Sequence, residues 1–243
     1  MDDEQISITR RRNIVTESEK EENEFYLYEE FYILSYLRSS IPTICDPVCI
    51  CLRICILADL TFNSYITIDN KGNIKYLEGI ITDPILKEVH NLIKENVYTP
   101  KEWIYSLNGE SFSYSKIGLH IKNLRFRITK KMEENRIFIS KKRNNIFSKR
   151  KYSIENNIKR KLCDRVIEYL TVRNTYSLRI EILIGCLSFC SVCGPILNSL
   201  PPKICLQAKT YVNEIRKKFK ETNLCKNPIE IIVYQLMKTI YKY

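Results

Sequence analysis

Two segments of this chain are almost entirely apolar, and they constrain its fold more than any other feature. Val48–Leu60 is interrupted only by Arg53 and Asp59, and Leu178–Cys193 has the same apolar character. A helix that is apolar on every side is stable in water only when other elements surround it. We therefore predict that both segments are central core helices.

Neither segment is long enough to cross a membrane. The best candidate for a membrane span, Ile180–Leu197, contains Glu181, Gly194 and Pro195, and its continuous apolar run is too short, since a spanning helix needs about 20 apolar residues. The first thirty residues are charged and lack the apolar core of a signal peptide. We expect a cytoplasmic protein with reduced thiols that would meet a membrane from its surface.

Glycine and proline are sparse, at 6 and 8 residues, which favours helices over a turn-rich β-fold. We predict a mainly α, single globular domain over residues 25–243, with a central apolar helical core, amphipathic outer helices and two small β-hairpins. An acidic tail, residues 1–24, is predicted to be disordered. The predicted hairpins pair Ser64–Asp69 with Ile74–Leu77, and Arg136–Ser140 with Ile146–Tyr152.

Apolar periodicity and capping residues place the remaining helices. A long amphipathic helix, Ser115–Glu134, would bury Ile117, Ile121, Leu124, Ile128 and Met132 on one side. The other predicted helices are Glu24–Leu37, a helix that Asp83 caps and that ends near Glu95, Lys101–Leu107, Ile154–Val172, Ala208–Phe219 and Pro228–Tyr241.

The formal net charge is +11, but it is unevenly distributed. Residues 1–30 hold ten acids and four bases, whereas Lys116–Leu162 holds sixteen bases and three acids. Such a basic stretch attracts polyanions, and composition does not distinguish nucleic acid from anionic lipid. A basic nucleic-acid-binding module is therefore the alternative to a lipid-binding protein.

Nothing in the sequence favours an enzyme or a metal site. The two histidines, His90 and His120, lie on different predicted helices, and no nucleophile, zinc-protease or phosphate-loop motif is present. Most of the ten cysteines fall in two clusters within apolar sequence, without paired CxxC spacing. We expect buried structural thiols, no metal and no cofactor.

Three cations are candidates for binding an anion. Lys122 and Arg125 are three residues apart, which would place them on one face of the predicted helix Ser115–Glu134. Arg53 lies inside an apolar helix, where an unpaired charge is costly. It therefore either pairs with an acid or lines an anion pocket. Pattern alone favours the ion pair.

The predicted second hairpin carries apolar residues at its tip, between basic runs. It is either a wedge that enters the headgroup region of a membrane or a solvated basic loop. The candidate membrane-contacting residues are Lys142, Arg143, Ile146, Phe147, Lys149 and Arg150.

Several stretches resemble the Golgi phosphoprotein 3 family. The strongest are Thr99–Phe112, with its Trp-Ile helix followed by Asn-Gly-Glu-Ser-Phe, and His120–Ile128, which is similar to the family's Gln-Leu-Arg-Asn-Val-Arg-Glu-Arg-Leu. Leu52–Leu57 resembles the family's Leu-Arg-Gly-Cys-Met-Leu. Glu155–Leu162 and Leu27–Leu37 resemble the helix after the family's hairpin and its opening helix.

The resemblance implies a non-enzymatic peripheral adaptor on the cytosolic face of the trans-Golgi that binds phosphatidylinositol 4-phosphate. The family's three basic headgroup ligands fall on Arg53, Lys122 and Arg125. Its pocket tryptophan falls on Ile44, so an indole is missing here. The resemblance thus favours a phosphate-binding role for Arg53 over an ion pair.

The resemblance also implies partners. Arg10, Arg11 and Arg12 resemble the arginine cluster with which the family binds COPI coatomer, although a solvated charge run is an equal alternative. The family retains Golgi glycosyltransferases through their cytosolic tails. Its membrane-inserting hairpin corresponds to about residues 138–152, and no nucleic-acid partner is expected. The oligomeric state is left open, a homo-oligomer included.

Overall fold

Ten α-helices and two short antiparallel hairpins make up the described part of the chain as one mainly α domain. The computed structural model describes residues 24–36, 46–110, 114–141, 152–172, 176–221 and 227–241. In order, the helices are α1 Leu27–Ser35, α2 Pro47–Phe62, α3 Pro84–Glu95, α4 Pro100–Asn108, α5 Leu124–Glu134, α6 Asn156–Val172, α7 Leu178–Phe189, α8 Cys193–Leu197, α9 Pro202–Lys220 and α10 Pro228–Tyr241.

The two apolar segments are central helices, as predicted. Helix α2 packs against α1, α4, α7 and α10, and α7 packs against α1, α2 and α9. Leu52, Ile56 and Leu183 have no exposed surface. Burial on all sides explains why neither segment carries the polar stripe of a surface helix.

Local capping chemistry sets where several helices begin. Asp46 accepts a hydrogen bond from the Val48 amide at the start of α2, and Asp83 accepts from the amides of Ile85 and Leu86 at the start of α3. At α4 the Thr99 hydroxyl and the Glu102 side chain cap each other's backbone amides. Each cap satisfies amides that the first helical turn leaves without partners.

The strands are shorter than predicted. Strand β1, Ile66–Ile68, pairs with β2, Ile74–Tyr76, and β3, Phe138–Ser140, pairs with β4, Tyr152–Ile154. The second strand of the second hairpin was predicted at 146–152. Residues 146–151 lie outside the described residues, and β4 extends past the predicted end. Its register places Ile154 opposite Phe138, so that both side chains are buried.

The predicted continuous helix Ser115–Glu134 is wrong. The chain forms a 3₁₀ helix over Tyr114–Leu119 and then a turn in which Asn123 has a φ of 54°. Asparagine tolerates this left-handed conformation better than most residues. A residue in this conformation interrupts a right-handed α-helix. Ile121, Leu124, Ile128 and Met132 are still buried as predicted, although the chain around them is not one continuous helix, and the side chain of Ile117 lies outside the described residues.

The predicted helix Leu178–Cys193 also breaks. Helix α7 ends at Phe189, Ser191 has a φ of 56°, and the short α8 follows. The cysteines of this region lie in the core: Cys55 Sγ is 4.0 Å from Cys186 Sγ, and Cys190 Sγ is 3.7 Å from Cys51 Sγ. Burial raises the pKa of the Cys51 and Cys55 thiols, which keeps them protonated.

Candidate anion-binding site

Arg53 is buried without a carboxylate partner among the described residues. Only 4% of its surface is exposed. Its Nε donates to the Leu107 carbonyl at 3.3 Å, Nη1 to the Cys49 carbonyl at 3.1 Å and Nη2 to the Ile121 carbonyl at 3.4 Å. Burial lowers the pKa of Arg53 and the charge of Arg125 lowers it further, whereas Cys49 and Glu110 act in the opposite direction. The ion pair that the pattern alone favoured, before the resemblance favoured phosphate binding, is absent from the ion pairs of the described residues.

The end of α4 brings those carbonyls to Arg53. Gly109 terminates α4 with a φ of 79°, a left-handed conformation that favours glycine. The chain later returns, and the Ile121 amide donates to the Leu107 carbonyl at 3.2 Å. The carbonyls of Leu107 and Ile121 are thereby held next to α2, where the guanidinium of Arg53 reaches both.

Lys122 and Arg125 flank the break before α5, so they do not share a helix face as predicted. Lys122 is exposed and lies in the turn, whereas Arg125 is half-buried in the first turn of α5. Arg125 Nη2 is 2.5 Å from Asp46 Oδ2, the residue that caps α2. Arg125 Nε is buried and has no hydrogen-bond partner among the described residues, which leaves one donor for an added acceptor.

His120 is a further member of this group that the sequence-based reasoning did not assign to the site. Burial lowers its pKa, and the charges of Arg53 and Lys122 lower it further. A Cβ built on Gly109 would come within 3.1 Å of the His120 ring, so a larger residue at this position would crowd the histidine. One sequence feature indicated that His120 belongs to the site, which is its position two residues before Lys122.

The described residues therefore combine four basic side chains with two nearby acids, Asp46 beside Arg125 and Glu110 within electrostatic reach of Arg53. Arg53 interacts electrostatically with Arg125 and with His120, and His120 also with Lys122. Asp46 offsets part of this charge through Arg125. A buried guanidinium that uses neutral carbonyls, close to other cations, has the electrostatics of an anion-binding site. We call Arg53, His120, Lys122 and Arg125 the cation group.

The other predicted functional residues lie outside the described part of the chain. These are the pocket position Ile44, the candidate hairpin tip Lys142, Arg143, Ile146, Phe147, Lys149 and Arg150, and the arginine cluster Arg10, Arg11 and Arg12. The strands β3 and β4, which would carry the hairpin tip, are described and pack beside α5.

The second histidine has a structural explanation. His90 is buried on α3, and its Nε2 lies 3.1 Å from the Tyr65 carbonyl and 2.9 Å from the Leu77 carbonyl. Because both partners are acceptors, Nε2 carries the proton and donates to them. His90 thus joins α3 to the first hairpin. Among the described residues no group of three or more histidine, cysteine or acidic side chains could hold a metal ion.

Fold and site together define a mainly α domain with a cationic site on one side of its core. Within the described ranges no helix is long and apolar enough to span a bilayer. The chain belongs to the Golgi phosphoprotein 3 (GPP34) family, whose model matches residues 27–233. This is a family of non-enzymatic adaptors associated with the Golgi. No individually curated protein matches the sequence.

Proposed function

We propose that this protein is a peripheral adaptor on the cytosolic face of the Golgi that binds phosphatidylinositol 4-phosphate. The observation that carries the proposal is Arg53, whose buried guanidinium is bonded to three neutral carbonyls. Arg53 forms no salt bridge among the described residues, although Glu110 acts on it electrostatically, and a buried cation without a salt bridge is stabilised when an anion joins it. Membership of a Golgi-associated family supports a Golgi phosphoinositide as that anion.

The cation group suits a phosphomonoester on a headgroup. Arg53 is the planar, pre-oriented donor, and its three bonds of 3.1–3.4 Å are long enough to be exchanged for stronger ones to phosphate. Lys122 supplies an exposed, flexible charge at the entrance. Arg125 contributes hydrogen bonds to the phosphate once it shifts from Asp46. Its Nε, which has no partner among the described residues, is the donor that is already available.

Other contacts would turn headgroup binding into coat recruitment. The hairpin tip residues Lys142 to Arg150 add adhesion to anionic lipid, and Arg10, Arg11 and Arg12 bind COPI coatomer. The domain then holds the cytosolic tails of Golgi glycosyltransferases for retention. Several weak contacts on one molecule give a usable overall affinity through effective concentration.

Vesicle flotation with matched variants tests the lipid site. We expect Lys122→Ala to weaken binding to vesicles containing phosphatidylinositol 4-phosphate by about fivefold, since a lysine near an anionic surface is worth about 1 kcal/mol. Adding Arg53→Met should reduce binding to the level seen without that lipid. The control is Lys209→Ala, which removes an exposed lysine from α9.

Two results would reject the lipid site. One is vesicle binding that does not depend on the phosphoinositide. The other is an equal loss in Lys122→Ala and Lys209→Ala, which would mean that only total charge matters. Lys122 is exposed, so its variant should fold even if Arg53→Met does not. Salt-sensitive RNA binding without lipid preference would favour the nucleic-acid-binding alternative.

A further inference from the structure

Helix α9 carries a row of exposed cations that have no acidic partners among the described residues. The helix contains six lysine and arginine side chains, and only Lys218 is paired, with Glu181 at 2.6 Å. By contrast, all four cations of α5 and three of the four on α6 form ion pairs. We call the other five cations of α9 the α9 row: Lys203, Lys209, Arg216, Lys217 and Lys220.

The α9 row is long and narrow. At about 100° per residue, its five members fall within an arc of about 140° around the helix. The buried residues Ala208, Val212, Ile215 and Phe219 lie on the other side. Along the helix axis the row extends over about 25 Å, at about 1.5 Å per residue. Its shape therefore matches an elongated ligand better than a compact one.

The charges of the row are unfavourable for α9 itself. Arg216 and Lys220 are four residues apart, and like charges at this spacing on a helix repel each other. Lys203 lies in the first helical turn, where the helix dipole disfavours a cation. The dipole favours cations in the last turn, but it does not account for Lys203. A negatively charged partner along the row would offset both effects.

Arg216 is held in place by an aromatic ring. Its guanidinium lies over the ring of Tyr241, 5.5 Å from the ring centre, and Tyr241 is buried and donates a hydrogen bond to the Gly185 carbonyl at 2.6 Å. Arg216, Lys217 and Lys220 are among the residues that line a surface cavity of about 430 Å³. A guanidinium that is oriented in this way can bind a carboxylate through two parallel hydrogen bonds.

We propose that the α9 row binds an acidic peptide segment of a protein partner in an extended conformation. At about 3.3 Å per residue, about eight residues of an extended chain would follow the row. Carboxylates along such a segment complement the five cations, which favours association and selects the partner by charge. None of the residues of the cation group lies on α9, so the inference goes beyond the proposed function.

The surroundings of the row favour a peptide over other polyanions. Glu214 is exposed at the edge of the row, where it would repel a flat anionic bilayer but would leave a narrow chain free to bind along the cations. Single-stranded nucleic acid binds through bases stacked on exposed aromatic rings. The two aromatic residues of α9 do not provide such rings, because Phe219 is buried and Tyr211 is half-buried and stacks on Tyr169.

A labelled acidic peptide tests the row on the full chain. The probe is fluorescein-labelled octaglutamate, and fluorescence polarisation at physiological salt measures its affinity. Lys217→Ala combined with Lys220→Ala should weaken binding about fivefold, the loss expected for two exposed ion pairs. The control is Lys130→Ala combined with Lys161→Ala, which removes the same charge from two exposed lysines that already have acidic partners. We expect the control to bind the probe within about twofold of wild type.

Two further measurements locate the binding. Arg216→Lys keeps the charge but removes the planar fork, so it should still weaken binding about twofold or more. Carbodiimide cross-linking joins carboxylates to nearby lysines, and mass spectrometry should find the octaglutamate on Lys209, Lys217 and Lys220 of the wild-type protein. Thermal unfolding checks that each variant is folded, which is expected because these positions are exposed.

Three outcomes would overturn the inference. An equal loss of probe binding in the two double variants would mean that only total charge matters. Cross-links confined to lysines outside α9 would place the peptide elsewhere. A double variant of Lys217 and Lys220 that loses binding to phosphatidylserine vesicles or to RNA, but not to octaglutamate, would assign the row to a bilayer or to nucleic acid. The peptide assay contains no lipid, so a failed lipid-site test with Lys122→Ala would leave its result unaffected.

Discussion

At the scale of single residues, burial and neighbouring charges together set the pKa values within the cation group. Arg53 is buried and His120 is partly buried, both face other cations, and both have a lowered pKa as a result. An incoming anion would therefore stabilise the charged form of each side chain. His120 matters because its ordinary pKa of about 6.5 lies close to physiological pH.

His120 predicts that headgroup binding depends on pH. In the free protein its pKa is below the ordinary value, so the ring is neutral at pH 7. A bound phosphate dianion favours the charged ring and raises that pKa, so binding takes up a proton. Affinity for phosphatidylinositol 4-phosphate should therefore increase as the pH falls from about 7.5 to 6.

His120→Gln isolates this effect. The phosphate itself titrates near pH 6, and only the difference between wild type and variant reports the histidine. We expect the affinity of His120→Gln, measured by vesicle titration at several pH values, to rise less on acidification than that of the wild type. Parallel pH profiles for the two proteins would remove His120 from the site.

At the scale of elements, the start of α2 links helix capping to the candidate site. Asp46 caps α2 through one carboxylate oxygen and holds Arg125 through the other. The capping role was readable from a small polar residue before Pro47. The ion pair was not, because residues 46 and 125 meet only when α2 and α5 pack in the fold.

Asp46→Asn separates the two roles. Asparagine caps helices about as well as aspartate, so α2 should keep its start, with a loss below about 1 kcal/mol from the weaker interaction with the helix dipole. Arg125 would lose its competing carboxylate, and we expect severalfold tighter binding to vesicles with phosphatidylinositol 4-phosphate. Thermal unfolding checks the cap. Unchanged or weaker lipid binding by a folded variant would show that Asp46 does not restrain Arg125.

At the scale of the whole molecule, a buried ionic network joins three helices behind the site. Asp59 on α2 accepts hydrogen bonds from the amides of Leu27 and Tyr28 at the start of α1, at 2.9 and 3.1 Å. It also pairs with Arg179 on α7 at 3.1 Å, and Arg179 lies 3.4 Å from Glu30 on α1. The network fixes how α1, α2 and α7 pack, and thereby the frame that holds Arg53.

Removing one member of this network should destabilise the fold strongly. Asp59→Ala leaves Arg179 buried beside fewer acids and leaves two α1 amides unpaired, so we expect a loss of about 3–5 kcal/mol in the free energy of unfolding. Asp164→Ala is the control, since that residue forms an exposed pair with Arg160 and should cost less than about 1 kcal/mol. Urea denaturation of both variants measures the difference. Similar losses would mean that packing alone holds the helices together.

The sequence by itself determined the helical architecture, because helix signals are local. Apolar periodicity and caps placed α2, α3 and α10, and the bounds of Pro228–Tyr241 agree with the structure. The family was also recognisable from contiguous motifs, and the matched residues 27–233 confirm it. Asn123 and Ser191, where two predicted helices break, were missed because a positive φ at one residue leaves the apolar pattern around it unchanged.

Only the tertiary structure decided what surrounds Arg53. Its acceptors at Leu107 and Ile121 lie 54 and 68 residues further along the chain, and Asp46 and Arg125 are 79 residues apart. The same holds for the orientation of α5, which its ion pairs to Asp46 and to Glu88 on α3 help to set. Such contacts arise from the packing of distant elements, and no periodicity within a segment encodes them.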